Sequence, residues 1–263
     1  MLILYFLLSL LGLVVGSFLT MLSYRLPRGL SILGRSVCPL CHKQISWYQN
    51  IPVFYFILSG GKCGFCKEAI SLRYPLVEII TALFFLISAY LWGLSGSNLV
   101  VVWNALLGNM SLPFFFLLTI FFLLLTIIDF EFQILPDKIL FLLMLLTALV
   151  LLLSPSPTVL FNLFVGFSVF IFFLAIYLLT QKRGMGFGDV KMSFILSSLL
   201  GFPNILIWLF LSFLSGAVVG LFLIAIKKAS FGKSIPFGPF LLISAWITFF
   251  FGDMILGWYL VYN

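Results

Sequence analysis

The chain has 263 residues, of which 14 are Lys or Arg and 7 are Asp or Glu, while 63% are hydrophobic. A soluble domain carries about 25% charged residues, and the 8% found here leaves too few polar groups to cover a water-facing surface. A soluble globular domain and a disordered chain are both excluded, and the class is a polytopic membrane protein. The net charge of +7 needs no nucleic-acid partner, because basic residues collect in the cytoplasmic loops of membrane proteins.

Residues 1–24 carry no charge. The apolar run from Leu2 to Tyr24 is too long for the core of a cleaved signal peptide, and no A-x-A-like site follows. It is expected to remain as a first transmembrane helix. A polar segment from Arg25 to Arg73 comes next, with Gly, Pro and Cys. Residues 79–128 form an uncharged stretch of 50 residues, enough for two spans of about 20 each. The patch Gly93-Leu94-Ser95-Gly96-Ser97-Asn98 marks their turn. Residues 139–181 are also uncharged and are divided by Ser154-Pro155-Ser156-Pro157. A loop from Gln181 to Lys191 precedes 192–226, which Gly201-Phe202-Pro203-Asn204 divides into two spans, the first of them short. The loop Lys227 to Pro239 leads to a last span at about 240–260. No internal repeat or low-complexity tract is evident.

Sidedness decides the number of spans. With eight spans and the N-terminus outside, the inward loops 25–75, 129–138, 182–191 and 227–239 hold all 14 basic residues. Seven spans would put Lys227, Lys228 and Lys233 outside, against the positive-inside rule. The expected fold is therefore an all-α integral membrane protein of about eight transmembrane helices. A small cytosolic four-Cys insertion follows the first helix. Three parts are expected: a first helix at 1–24, a cytosolic zinc-binding domain at 25–74, and a seven-helix membrane domain at 75–263.

An insertion of this size rarely folds without a staple. Cys38-Pro39-Leu40-Cys41 and Cys63-Gly64-Phe65-Cys66 are two C-x-x-C pairs separated by 21 residues. Four thiolates at this spacing can close a tetrahedral site around a structural Zn²⁺, and the reducing cytosol favours metal over disulfide. The competing readings are two reactive dithiols or plain buried cysteines. His42, the single histidine, reads as a surface residue beside the site. One histidine also excludes an H-E-x-x-H protease, and no G-x-S-x-G elbow is present.

An acidic side chain near the membrane core is costly and is a functional hypothesis by default. Asp129 ends the apolar helix Leu123-Leu124-Leu125-Thr126-Ile127-Ile128. Asp189 follows Gly184-Met185-Gly186-Phe187-Gly188 at the start of the short sixth span. Both lie at cytoplasmic ends, so they can meet across a bundle. Two close carboxylates cannot easily both be charged; one protonated and one ionised can activate water and donate to a peptide carbonyl. The plainer reading is that both are boundary residues in solvated loops. Asp137 can pair with Lys138 or shape its loop, and Glu131 is expected to be solvated. Glu78, early in the second span, has Arg73 or a bundle neighbour as expected partner. Asp253, within the last span, is expected to be a buried protonated acid. Lys191 is expected to face anionic groups or lipid headgroups.

Several motifs, in order, make the sequence resemble the bacterial type IV prepilin peptidases, aspartic proteases of the G-x-G-D type. They are Gly16-Ser17-Phe18-Leu19 with Arg25-Leu26-Pro27; the two cysteine pairs with Ile45-Ser46-Trp47-Tyr48-Gln49-Asn50-Ile51-Pro52 between them; Ile70-Ser71-Leu72-Arg73-Tyr74-Pro75-Leu76-Val77-Glu78; Asp129 with Leu135-Pro136-Asp137; Gly184 through Lys191; and Ile235-Pro236-Phe237-Gly238-Pro239-Phe240. The resemblance implies that Asp129 and Asp189 are the catalytic pair, with Gly186, Gly188, Pro136, Asp137 and Lys191 as their supporting loop. It implies substrates that are precursors of pilins or pseudopilins, cut on the cytoplasmic side between Gly and a following residue, usually Phe. It also implies methylation of the new N-terminus from S-adenosylmethionine. The motifs assign no residues to the methyl donor; Glu78 and Arg73 are candidates by their place at the start of the second span. The place is a bacterial inner or cytoplasmic membrane, crossed several times, with the N-terminus outside, the catalytic loops inside and membrane lipid around the bundle. The chain departs from the family at Thr20, often Asn, and around Phe54-Tyr55-Phe56, where Ser is common. A proton-coupled transporter using Asp129, Asp189, Glu78 and Asp253 as a relay is the alternative.

Overall fold

A computed structural model describes residues 2–94, 111–153, 158–181, 184–227 and 236–261. The turn patch beyond Leu94, the Ser154-Pro155-Ser156-Pro157 breaker, Lys182, Arg183, Lys228, Lys233 and Ile235 lie outside the described residues. The regular elements are helices: α1 (Leu2–Arg25), a 3₁₀ turn (Trp47–Asn50), α2 (Phe54–Leu58), α3 (Arg73–Leu94), α4 (Ser111–Phe132), α5 (Asp137–Leu153), α6 (Thr158–Leu179), α7 (Phe187–Leu200), α8 (Asn204–Ala225) and α9 (Gly238–Val261). Extended structure among the described residues is limited to two isolated antiparallel bridges, Val37 with Gln44 and Lys62 with Ala69.

The charge-free runs become helices because a backbone in hydrocarbon must satisfy its polar groups within the segment. Among the described residues, six helices are long and apolar enough to cross a membrane: Ile3–Arg25, Arg73–Leu91, Leu112–Phe132, Val159–Leu179, Asn204–Ala225 and Gly238–Tyr259. The two shorter apolar helices are α5 with 17 residues and α7 with 14. The eight stretches expected as spans are therefore all helical, and the sixth is the short one. Their outward residues suit lipid: Phe161, Phe164, Phe167 and Ile171 form an exposed apolar row along α6.

The chain divides into two compact units, one of residues 1–93 with 115–124 and one of residues 94–114 with 125–263. In the first, α1 packs on α3 through Gly12 and Gly16. A Cβ at Gly12 would lie 2.6 Å from Ala82 Cα, and one at Gly16 would lie 2.6 Å from Glu78 Cα. Glycines four apart let two helix backbones approach this closely.

The cysteine pairs occupy two knuckles of the same build. Cys38 N–H donates to Lys43 O and His42 N–H to Cys38 O; likewise Cys63 N–H donates to Glu68 O and Lys67 N–H to Cys63 O. The residue after each second cysteine, His42 or Lys67, takes a positive φ of 56° or 61°. A repeat hidden at the level of residue identity thus exists in the backbone. Gln49 of the 3₁₀ turn joins the parts: its Oε1 accepts Ser46 N–H, and its Nε2 donates to Tyr55 Oη at 3.0 Å. A Cβ at Gly64 would sit 2.6 Å from that Nε2.

In the second unit α7 is central and packs against α5, α6, α8 and α9. Ten of its residues are buried, including Ser193, Ser197 and Ser198. Gly166 of α6 faces Ser198 Oγ, where a Cβ would collide, so small residues again set the approach. Trp208 of α8 is fully buried and donates from Nε1 to Leu241 O of α9 at 2.8 Å. Phe173, Phe213 and Phe237 form a connected ring cluster, with centroids 5.9 Å and 5.4 Å apart along the chain of contacts. This cluster fixes Phe237, the residue on which α9 starts.

Candidate active site

Three helix ends of the second unit meet at one point. Asp129 lies one turn before the end of α4, and the helix stops when Gln133, with φ 54°, donates its N–H to Asp129 O. Asp189 lies in the first turn of α7, and its Oδ2 accepts Gly186 N–H at 3.2 Å. Gly238 is the first residue of α9, whose turn begins with Phe240 and Leu241 N–H donating to Phe237 O. Both carboxylates are buried, Asp129 at 5% and Asp189 at 6% exposure.

A Cβ built on Gly238 would lie 2.6 Å from Asp129 Oδ2 and 3.4 Å from Asp189 Oδ1. Those two oxygens are thus no farther apart than the sum of the two distances. The Gly238 N–H donates to the Asp129 carboxyl group. Asp129 Oδ2 is buried and has no hydrogen-bond partner among the described residues, which is unusual for a buried oxygen. Two carboxylates facing one small gap can hold water between them and exchange protons with it.

The residues expected to support the pair lie on or beside the connections into its helices. Pro136 O accepts the N–H groups of Ile139 and Leu140 and so begins α5. A Cβ on Gly188 would lie 2.9 Å from Leu135 Cβ, so this glycine is what lets α7 approach the α4–α5 connection. Gly186 has more room, with Asp189 Oδ2 as its nearest neighbour at 3.5 Å. Asp137 pairs with Lys191 at 2.7 Å. The partner expected for Asp137 was Lys138, and the partners expected for Lys191 were anionic groups or lipid; proximity of α5 and α7 brings the two together. Glu131 is exposed, as expected.

Asp253 differs from expectation. It is exposed, and its Oδ1 accepts from Asn204 Nδ2 at 3.0 Å. It lies 15 residues along α9 from Gly238, or about 22 Å at 1.5 Å per residue. It therefore cannot relay protons directly with the pair near Gly238.

In the first unit the thiols of Cys38, Cys41, Cys63 and Cys66 lie within 4.8 Å of one another, an arrangement that can hold a metal ion. The Cys38 and Cys66 sulfurs are 4.0 Å apart, close to the roughly 3.8 Å edge of a tetrahedron with 2.3 Å Zn–S bonds. Backbone N–H groups of Cys66 and Phe65 aimed at Cys63 pull its thiol down to about 6. His42 is exposed and is not one of the four ligands.

Beside the knuckles lies a cavity of about 890 Å³, lined by Tyr24, Tyr55 and Tyr74 among others, with Glu78 on its wall. Glu78 is buried at 6% exposure. Its Oε2 accepts Val53 N–H at 2.8 Å, and it also accepts from the Ser17 hydroxyl. Val53 takes φ 59° and ψ −45°, a strained backbone for a β-branched residue. Glu78 therefore holds a turn that local propensity would not choose. Arg73 donates to Ser23 Oγ at 2.6 Å. The close approach of Gly16 to the Glu78 backbone and the strain at Val53 are not anticipated in the sequence reading; the four-residue spacing of Gly12 and Gly16 is the signal that could have shown the first.

Fold and site together define a helical membrane protein with a four-thiol knuckle pair and a buried pair of aspartates. The Bacterial Peptidase A24 N-terminal domain matches residues 10–92, and the Type IV leader peptidase family matches residues 115–221. The chain belongs to the type IV leader peptidase family. It is 35% identical to the prepilin leader peptidase/N-methyltransferase of Pseudomonas aeruginosa, over 95% of this chain and 91% of that one. It is 34% identical to the protein of the same name from Aeromonas salmonicida, over 98% and 94%. The Neisseria gonorrhoeae protein of that name is 32% identical over 97% and 94%. No solved structure matches.

Proposed function

We propose that this chain removes the leader from type IV prepilins or pseudopilins on the cytoplasmic side of the membrane, with Asp129 and Asp189 as the catalytic pair, and then methylates the exposed N-terminus. The observation that carries the peptidase reading is that both buried carboxylates face the same gap beside Gly238. One carboxylate takes a proton from a water while that water's oxygen bonds to the scissile carbonyl carbon. The protonated partner gives its proton to the carbonyl oxygen. The tetrahedral intermediate then breaks its C–N bond as one carboxyl group gives its proton to the leaving nitrogen and the other carboxylate takes a proton from a hydroxyl of the intermediate, which returns the pair to one shared proton without a covalent enzyme adduct. Scarce water in the buried site strengthens each of these interactions. The names of the relatives supply the substrate class.

The four thiols are assigned to a structural zinc, since a closed four-Cys site leaves no open coordination position for chemistry. The segment 25–74 is then the cytosolic metal domain and 75–263 the membrane peptidase body. For methyl transfer, the cavity beside the knuckles fits a small-molecule site, which typically measures about 300–1,000 Å³. S-adenosylmethionine would supply an electrophilic methyl group on a cationic sulfur there. The Glu78 carboxylate is suited to that positive charge and the tyrosine rings to a flat base; Arg73, the other candidate, is not among the residues that line the cavity and donates to Ser23 Oγ instead. The distribution of the 14 basic residues supports an inner or cytoplasmic membrane location with the N-terminus outside. The test is leader removal from a purified prepilin: Asp129→Asn and Asp189→Asn each abolish it, while persistence of cleavage in either variant rejects the pair.

A further inference from the structure

Gly238 belongs to neither of the helices that carry Asp129 and Asp189, yet it is the residue at which those two aspartates meet. Three observations make it part of the reaction centre. Its N–H donates to the Asp129 carboxyl group. That N–H belongs to the first turn of α9, where the helix itself has no acceptor for it. On the other side, the buried Asp129 Oδ2 has no partner among the described residues and is aimed at the space a Gly238 side chain would fill. The same space is 3.4 Å from Asp189 Oδ1. The glycine's own placement is rigid: Phe237 is locked in the ring cluster with Phe213, and Gly216 offers it room, a Cβ there meeting the Phe237 ring at 3.1 Å. Pro239 follows, and a proline in the first helical turn removes no needed donor.

We infer that Gly238 is a positioning residue of the peptidase site: its backbone N–H orients Asp129, and its missing side chain keeps open the gap between the two carboxylates where water and the scissile carbonyl react. The free oxygen of Asp129 faces the reacting atoms because the Gly238 N–H holds the carboxyl group at its edge. A methyl group at 238 would stand in the gap itself. This inference rests on the assignment of Asp129 and Asp189 as the catalytic pair.

The experiment follows cleavage of a synthetic prepilin segment with a basic leader, a Gly–Phe junction and the start of an apolar helix, using the full chain in detergent. Gly238→Ala is expected to lower kcat on the order of 100-fold, with KM for the segment close to wild type and methyl transfer onto an already mature N-terminus retained. Gly257→Ala, on the same helix with nothing within 4 Å of its Cβ, is expected to match wild type. Replacing the Phe237–Gly238 amide by an ester removes the N–H and adds no atom. It is expected to lower kcat about tenfold, as loss of one hydrogen bond to a charged group does, and it answers the question if the alanine variant does not fold. Near-wild-type kcat in Gly238→Ala or in the ester variant, or a loss confined to KM, overturns the inference. If Asp129→Asn or Asp189→Asn still cleaves, the catalytic assignment has failed instead; if both are inactive while the Gly238 variants are normal, only the role of Gly238 has.

Discussion

Lys191 donates to Asp137 across 2.7 Å and so ties the N-terminal part of α7 to the start of α5. The two residues belong to separate motifs, one following Asp129 and the other following Asp189. The pair is a strap between the segments that carry the aspartates. Its groups are 37% and 75% exposed, so its contribution to stability is at most about 1 kcal/mol. Its effect should appear in cleavage instead. Lys191→Asp alone is expected to slow cleavage several-fold, and the swapped pair Lys191→Asp with Asp137→Lys to recover much of it. A kinetic double-mutant cycle measures this; equal losses in single and swapped variants exclude the strap.

Gly188 and Leu135 make a steric prediction. Because a Cβ at 188 would lie 2.9 Å from Leu135 Cβ, Gly188→Ala must push α7 away from the α4–α5 connection. A displacement near 1 Å costs on the order of 100-fold in rate. Leu135→Ala in the same chain should restore part of it, while Gly186→Ala, with its nearest contact at 3.5 Å, should cost much less. Initial rates of leader removal by the four proteins decide the matter.

Gly16 addresses the other reaction. A side chain there would strike the α3 backbone at Glu78. Gly16→Leu is expected to destabilise the first unit by about 1–3 kcal/mol, the usual range for overpacking. It should also disturb the Ser17–Glu78–Val53 arrangement on the cavity wall. Methyl transfer should fall more than cleavage. Thermal unfolding and the two activities, measured on one preparation, check both statements.

The thiol cluster predicts one bound zinc, lost in the Cys38→Ser, Cys63→Ser double variant. Elemental analysis of purified protein gives the ratio directly. Wild-type protein free of zinc under reducing, metal-replete conditions refutes the site.

The apolar helices were legible because hydrocarbon admits little else: where charge disappears for about 20 residues, the backbone must be helical. The cysteine knuckles were legible for a similar reason, since C-x-x-C spacing is set by the metal. Asp129 and Asp189 could be singled out as costly charges, but their meeting could not be read from spacing, because it depends on how α4, α7 and α9 converge. The Asp137–Lys191 pair spans 54 residues of sequence, and local charge spacing favoured Lys138. Asp253 was misplaced because a hydropathy run does not say which face of its helix is covered. Gly238 was visible as one position of the Ile235-to-Phe240 motif, without a role; its importance comes from two side chains brought to it from other helices.

The central claim is that Asp129 and Asp189 cleave a prepilin together. The most direct measurement is single-turnover leader removal, followed by mass spectrometry, with wild type, Asp129→Asn, Asp189→Asn and the exposed control Glu131→Gln. The account predicts rates reduced about 10⁴-fold or more in each aspartate variant, methyl transfer to mature N-termini retained in both, and near-wild-type cleavage by Glu131→Gln. Substantial cleavage by either aspartate variant would contradict it.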